Sequence, residues 1–423
     1  MGRENKRITI EKVELDGERI IRYIVRYGSK ASEYFTDIPF YAEYDRSIRG
    51  VPESILVIPL LANLCPVAWI AGVDVYADQV DKSYYESLLQ AQASFRAMYP
   101  RLNFTGNVYA NRLNEDMPEE APSRSAMFFS GGVDSMGTFI RRREEEPYFI
   151  TFWGADIRCD QAEMWEEVKR YNDRFGRTHG LESLFVKSNL REFINDKHIA
   201  FMTDRFTHGW WAGVQHGIGL VGLVAPLAYR LGIAKLYVPS ALPPKLSRAV
   251  PDGSNTMINN HLRWTGTQVQ LDGEELTRQG KVGLIAEFIR SSEQPAVVRV
   301  CWSNAEYGNC CRCEKCLRTI VGLIAEGIDP AQVGFIGYRE AYRLVRQYLL
   351  SWLPHDVLKG EYWDEIRVRS IRNKDLLPIE AGDFFAWFQA LDIGSYAKKR
   401  SAKQIIIGLI PHPLFLRIKK WIA

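Results

Sequence analysis

The run Ser130-Gly131-Gly132-Val133-Asp134-Ser135 stands between a short apolar stretch, 126–129, and a helical pattern, 136–145. Two adjacent glycines between a strand and a helix let the backbone turn sharply and approach a ligand closely. Successive N–H groups and the helix N-terminus then converge on an anion. The hydroxyls of Ser130 and Ser135 add donors. Asp134 repels a bare anion but suits a phosphate that arrives with Mg²⁺, because that ion takes carboxylate and phosphate oxygens together. The same six residues also read as a serine–glycine turn in which Asp134 caps the next helix. The pattern continues on both counts: 148–153, 184–187 and 235–238 read as strands, 161–175 and 210–231 as helices. Such alternation predicts an α/β fold, a doubly wound parallel sheet with helices on both faces.

A chain of 423 residues is too long for one core, and three segments are expected. Residues 1–120 read as an N-terminal α+β domain. It opens with a hairpin, 7–13 and 19–27 around Asp16-Gly17, and closes with a helix, 82–98. Polar residues 114–125 read as a linker, 121–330 as the domain that carries the phosphate-type loop, and 331–423 as a helical extension anchored by Trp352, Trp363 and Trp387. Two uncharged stretches, 55–73 and 209–229, reach membrane-spanning length. Pro59, Asn63 and Pro66 are expected to break the first into short pieces, and Gln215, His216 and Pro226 to interrupt the second, so both are assigned to a core. The charged start lacks the apolar centre of a secretory signal, and the expected location is cytoplasmic. Lys and Arg number 54 against 51 Asp and Glu, a net charge of +3, which argues against bulk nucleic-acid binding. The basic tail, 397–423, suits a membrane surface, RNA, or docking on its own domain.

Five of the seven cysteines fall between 301 and 316. Cys301, Cys310, Cys313 and Cys316 form C-x8-C-x2-C-x2-C, with Cys301 at a strand end and Cys311 to spare. Four thiolates at these separations can close a tetrahedron around Zn²⁺, and a site with no open position is structural. An iron–sulfur cluster or unligated core cysteines are the alternatives. No G-x-x-x-x-G-K-[ST] loop occurs. Residues 217–222 satisfy G-x-G-x-x-G but follow no strand, so helix packing is expected there. Trp153, Asp156, His208, Trp210, Trp211 and His216 gather near expected strand ends, where such sheets bind ligands, with core packing as the competing reading. His208 and His216 are general-base candidates, while Ser240, Asp252 and Ser254 form a polar loop fit for substrate or simply for turns.

Residues 130–135 match the SGGxDS signature of the PP-loop ATP pyrophosphatases. Followed by the four-cysteine pattern, they resemble most the 7-cyano-7-deazaguanine synthase branch, which serves queuosine biosynthesis. The resemblance spans roughly residues 125–325 and implies a PP-loop, HUP-like sheet and an adenylating, ligase-type enzyme. ATP would be cleaved between its α and β phosphates, AMP passed to a small-molecule carboxylate or carbonyl oxygen, and ammonia or an amine would displace it. It implies that Ser130, Gly131, Gly132, Asp134 and Ser135 hold the leaving pyrophosphate with Mg²⁺, Ser130 and Asp134 as catalytic residues, and that adenine lies near Phe152 and Trp153. The segment 276–281 is similar to a basic element of that branch. Arg278 and Lys281 are therefore expected to meet phosphate charge as catalytic residues, solvated helix-start cations being the other reading.

In that branch the carboxylate is carried by a 7-deazapurine. Here Cys311 stands where a glycine is common, and Pro239-Ser240-Ala241 and residues 251–255 stand where Arg-rich substrate motifs are expected, which points to another carboxylate. Sulfur transfer through a persulfide on Cys311 or Cys159, and non-catalytic nucleotide binding, are the rival functions. Zinc removal is expected to loosen residues 297–328 while nucleotide affinity at a distant glycine loop falls only modestly.

Overall fold

The computed structural model describes residues 4–204, 206–207, 209–242, 251–292, 296–301, 308–351 and 357–393; His208, Trp352 and the basic tail lie outside them. These residues form two compact units. The first draws on Met1–Phe129, Arg142–Ser240 and Ser247–Asp272, the second on Ser130–Arg141, Ala241–Leu246 and Gly273–Ala423. The units cut across the expected segment boundaries at 120 and 330.

The first unit is built on one sheet. Alternating apolar residues make β1 (Arg7–Asp16) and β2 (Ile20–Tyr27), antiparallel strands turned at Gly17, whose φ of 64° favours glycine. β3 (Tyr41–Tyr44), β4 (Asp74–Asp81) and β5 (Val108–Asn114) follow. Then come β6 (Arg124–Phe128), β7 (Tyr148–Trp153), β8 (Ser183–Ser188), β9 (Ile233–Pro239), β10 (Arg263–Trp264) and β11 (Thr267–Asp272). The eleven strands are ordered β10-β11-β9-β6-β7-β8-β3-β2-β1-β4-β5. Within this order β11-β9-β6-β7-β8 is parallel throughout. The chain starts that block at β6, steps outward to β8, and returns to the other side of β6 with β9. β6 therefore lies where strand order reverses, the place at which a doubly wound sheet opens a crevice beyond its strand ends.

β8 does not end the sheet. β3 pairs with it antiparallel, Ala42 opposite Ser188, so the N-terminal strands prolong the same sheet. Free N–H and C=O groups along a strand edge invite such an extension.

Two helices differ instructively from expectation. Ile58–Ala71 is one continuous helix through Asn63 and Pro66 rather than short pieces. Pro66 deprives the helix of one hydrogen bond, a cost of about 3 kcal/mol. All fourteen residues are buried, and burial at roughly 1.5–3 kcal/mol for each large apolar side chain outweighs that cost. The second helical run, Trp211–Leu231, is the one described helix long and apolar enough to cross a membrane, yet 83% of its apolar window is buried inside the protein. It opens with a π-helical turn, Trp211–Gln215, and Pro226 starts its last segment, Ala225–Leu231. The glycines of 217–222 serve packing: a Cβ on Gly219 would stand 2.5 Å from Asn63 Oδ1, and one on Gly222 would stand 2.2 Å from Ala62 Cβ. The two core helices are pressed together there.

The second unit is helical: Arg278–Ser291, Glu314–Ala325, Ala341–Ser351, Val357–Arg372 and Gly382–Gln389, beside the start of the helix Val133–Arg142. Trp363 is fully buried against Phe388, and Trp387 packs on Phe384.

Candidate anion and metal site

The glycine loop folds on itself. Gly131 has a φ of 74°, and the Gly132 carbonyl accepts the first helical bond, from Met136 N at 2.9 Å. Ser135 Oγ also donates to that carbonyl (3.1 Å) and lies 3.3 Å from Ser130 Oγ. The hydroxyls thus fix the turn before any ligand is present.

Asp134 occupies the first turn of the helix, and two cations from another helix meet its carboxylate. Arg278 Nη2 lies 3.0 Å from Oδ2 and Lys281 Nζ lies 3.2 Å from Oδ1. Thr277 caps that second helix by accepting from Gly280 N at 2.9 Å, which fixes where Arg278 and Lys281 project. Gly137, one turn beyond Asp134, leaves room for the Lys281 stem, since a Cβ there would already touch Lys281 Cγ at 3.4 Å. The Lys281 side chain is 3% exposed. Burial pushes the Asp134 pKa up, but the Arg278 and Lys281 charges together outweigh it and hold the carboxyl below its ordinary value. The two expected cations are therefore not solvated helix-start residues.

Two further residues complete the group. Arg318 stands 4.2 Å over the Tyr362 ring, and Arg278 faces the same ring at 5.5 Å. Glu314 pairs with Arg318 at 3.4 Å, and the Tyr362 hydroxyl donates to the Ala241 carbonyl at 3.1 Å. Arg318 Nη1 and Arg278 Nε are buried without a hydrogen-bond partner. Lys281 and Arg318 are buried and Arg278 is 19% exposed, and with two guanidinium N–H groups left without a partner beside a glycine-rich helix start the set can hold an oxyanion. Arg318 was legible in principle, two residues beyond Cys316 on the same helix. Tyr362 carries no local signal.

The four expected sulfurs do converge. Sγ of Cys301, Cys310, Cys313 and Cys316 all lie within 4.8 Å of one another, with Cys310–Cys316 at 3.9 Å and Cys301–Cys313 at 4.0 Å. A tetrahedral zinc–thiolate site has sulfur–sulfur edges of about 3.8 Å. The set can therefore hold one metal ion and is consistent with Zn²⁺. Cys313 caps the helix Glu314–Ala325, and hydrogen bonds from Cys316 lower its pKa against burial, so a thiolate is favoured where metal binding needs one. Cys301 lies in the segment 296–301, which belongs to no strand, in contrast to the expected strand end. Asn309 ties this segment to the cysteine loop, accepting from Val300 N (3.0 Å) and donating to the Val298 carbonyl (2.6 Å).

The same segment also reaches the glycine loop, where Arg299 N donates to the Gly131 carbonyl at 2.8 Å. The metal site and the loop are neighbours, not the distant sites expected from their separation in sequence. Cys311, with a φ of 55°, turns its thiol to the Asn309 and Ile336 carbonyls, and burial pushes its pKa up to about 11. We expect purified protein to carry about one zinc per chain by elemental analysis, and Cys313→Ser to lose it. Visible absorption from iron would count against zinc.

The remaining candidates lie in the first unit. Phe152 packs edge-on against Phe128 at the end of β7. Trp153 stacks on Trp165, with the Lys187 ammonium 4.3 Å from its ring and its own N–H donated to the Arg158 carbonyl. Asp252 accepts from Ser254 N, a local turn. Ser240 N bonds the Asp272 carbonyl. No family model, curated protein or solved structure matches the chain.

Proposed function

We propose that the protein is an ATP pyrophosphatase of the PP-loop kind, which adenylates a small carboxylate or carbonyl oxygen and releases pyrophosphate for an amine or ammonia to complete the exchange. The observation that carries this reading is the Asp134 cluster: a carboxylate at the helix start of a glycine loop, paired with Arg278 and Lys281, with Arg318 sharing the Tyr362 ring with Arg278. In the proposal the N–H groups of 131–135 and the cations Arg278, Lys281 and Arg318 take the β and γ phosphates, whose developing charge in the transition state they stabilise. Asp134 stands at the loop, and with the phosphate oxygens it can hold Mg²⁺, which would neutralise the departing pyrophosphate. Tyr362 keeps two guanidiniums in register.

The proposed closest chemistry is that of the 7-cyano-7-deazaguanine synthases, with a different acceptor, in the cytoplasm. Sulfur transfer finds less support: Cys311 and Cys159 each bond a backbone carbonyl, and burial pushes both pKa values up to about 11, whereas reactive thiols have lowered ones. The test is incubation with Mg²⁺ and ATP labelled at the α and γ phosphates, with a metabolite extract as the acceptor source. AMP and pyrophosphate are the expected products. ADP and phosphate would overturn the assignment, and no turnover with any extract would favour nucleotide binding alone.

A further inference from the structure

Several of the strand-end residues singled out in the sequence come together in the first unit around an arginine that was not among them. The loop after β7 supplies Asp156 and Arg158, the loop after β8 supplies Arg191, and the π-helical turn supplies Trp211, followed by His216. The Arg191 guanidinium lies 4.8 Å from the centre of the Trp211 ring. Trp211 Nε1 donates to Asp156 Oδ1 at 3.0 Å, and His216 meets the same indole edge-on at 5.1 Å. The indole is thereby held rigidly under the arginine.

Arg191 itself is poorly satisfied. Nη1 makes one long bond, 3.4 Å to the Ala155 carbonyl, and Nε is buried with no partner. Asp156, Asp196 and Arg158 act on it electrostatically, but among the described residues it forms no ion pair. A buried guanidinium N–H left without an acceptor is destabilising. The π-helical turn is a second irregularity, of a kind that recurs at functional sites. Arg191 lies just past the C-terminal end of β8, on the ligand-binding side of a doubly wound sheet.

We propose that Arg191 anchors a binding subsite for a small monocarboxylate, whose two oxygens take the Nε and Nη2 edge of the guanidinium while the Trp211 indole forms the wall. A planar carboxylate matches that edge in bidentate fashion, as a lysine or a backbone N–H pair would not. Charge selects against phosphate: Arg158 and Arg191 are offset by Asp156 and Asp196, so the surroundings hold no excess positive charge to stabilise a dianion. One negative charge supplies the acceptor that Arg191 lacks. The subsite stands apart from the ATP reading, since all its residues lie in the first unit and its test needs no nucleotide.

The test is ¹⁹F NMR titration of the full chain with 4-fluorobenzoate, and with 4-fluorobenzamide as the neutral match. Benzoate is expected to bind at least about tenfold more tightly than the amide, the worth of a charge-assisted pair. Arg191→Met should remove that preference, and Arg191→Lys, which keeps the charge but not the fork, should remove most of it. Circular dichroism establishes that each variant is folded, and the lysine variant carries the test if the methionine variant is not. Acetate should compete and inorganic phosphate should not. Equal binding of the amide, a preference retained by Arg191→Lys, effective competition by phosphate, or no benzoate signal would each overturn the proposal.

Discussion

Stripping the metal from the four-cysteine site is expected to lower the melting temperature substantially and to weaken pyrophosphate binding at the glycine loop at the same time. Four thiolates that close one ion convert metal affinity into folding free energy. A loss of about 4 kcal/mol shifts a domain of 150–250 residues by roughly 8–16 °C. The second effect follows from two short connections. Cys301 lies two residues from Arg299, whose N–H holds the Gly131 carbonyl at 2.8 Å, and Cys316 lies two residues from Arg318. Loosening the sulfurs therefore releases one side of the glycine loop and one of its cations together. Calorimetry with inorganic pyrophosphate on chelated, still folded protein should show at least about a tenfold loss, the worth of one or two charge-assisted hydrogen bonds. Hydrogen exchange should quicken at residues 131–135 as well as 297–328. Unchanged exchange at the loop would show that the connection through Arg299 carries no constraint.

Replacing Asp134 by asparagine is expected to cost both stability and turnover. The carboxylate is 20% exposed and neutralises Arg278 and Lys281, so its loss leaves two buried cations facing one another. Breaking a buried pair by removing one partner costs about 3–5 kcal/mol. The substitution therefore acts on the fold as well as on the site. Turnover of ATP to AMP should fall by roughly a thousandfold or more, the scale for losing an electrostatic group in a reaction centre. The double variant Asp134→Asn, Lys281→Met removes one of the stranded charges, and should regain stability without regaining activity; recovery of both would deny Asp134 a chemical role.

Acid titration offers a further check on the same carboxylate. Its folded pKa lies below the unfolded value, so the stability it contributes is complete above the unfolded pKa of about 3.9 and is lost as pH falls through the folded pKa. Wild type should lose stability on that acid limb, while Asp134→Asn should lack this part of the slope and differ little in slope near neutrality.

Local physics was readable along the chain. The hairpin at Gly17 and the helix Lys82–Met98, capped by Asp81 accepting from Tyr84 N, lie where alternation, turn residues and caps place them. The glycine loop and the cysteine spacing were equally legible, because each motif draws its geometry from residues a few positions apart. What required the tertiary structure was everything decided between distant residues. Pro66 fails to end its helix because burial outweighs a broken hydrogen bond. β3 joins β8 because an open strand edge accepts whichever strand reaches it. Lys281 and Arg278 come to Asp134, and Tyr362 to Arg278 and Arg318, because whole helices pack and carry their side chains along. A sequence names the charges a chain possesses; only packing decides which of them lose water together, and a buried charge must then find a partner.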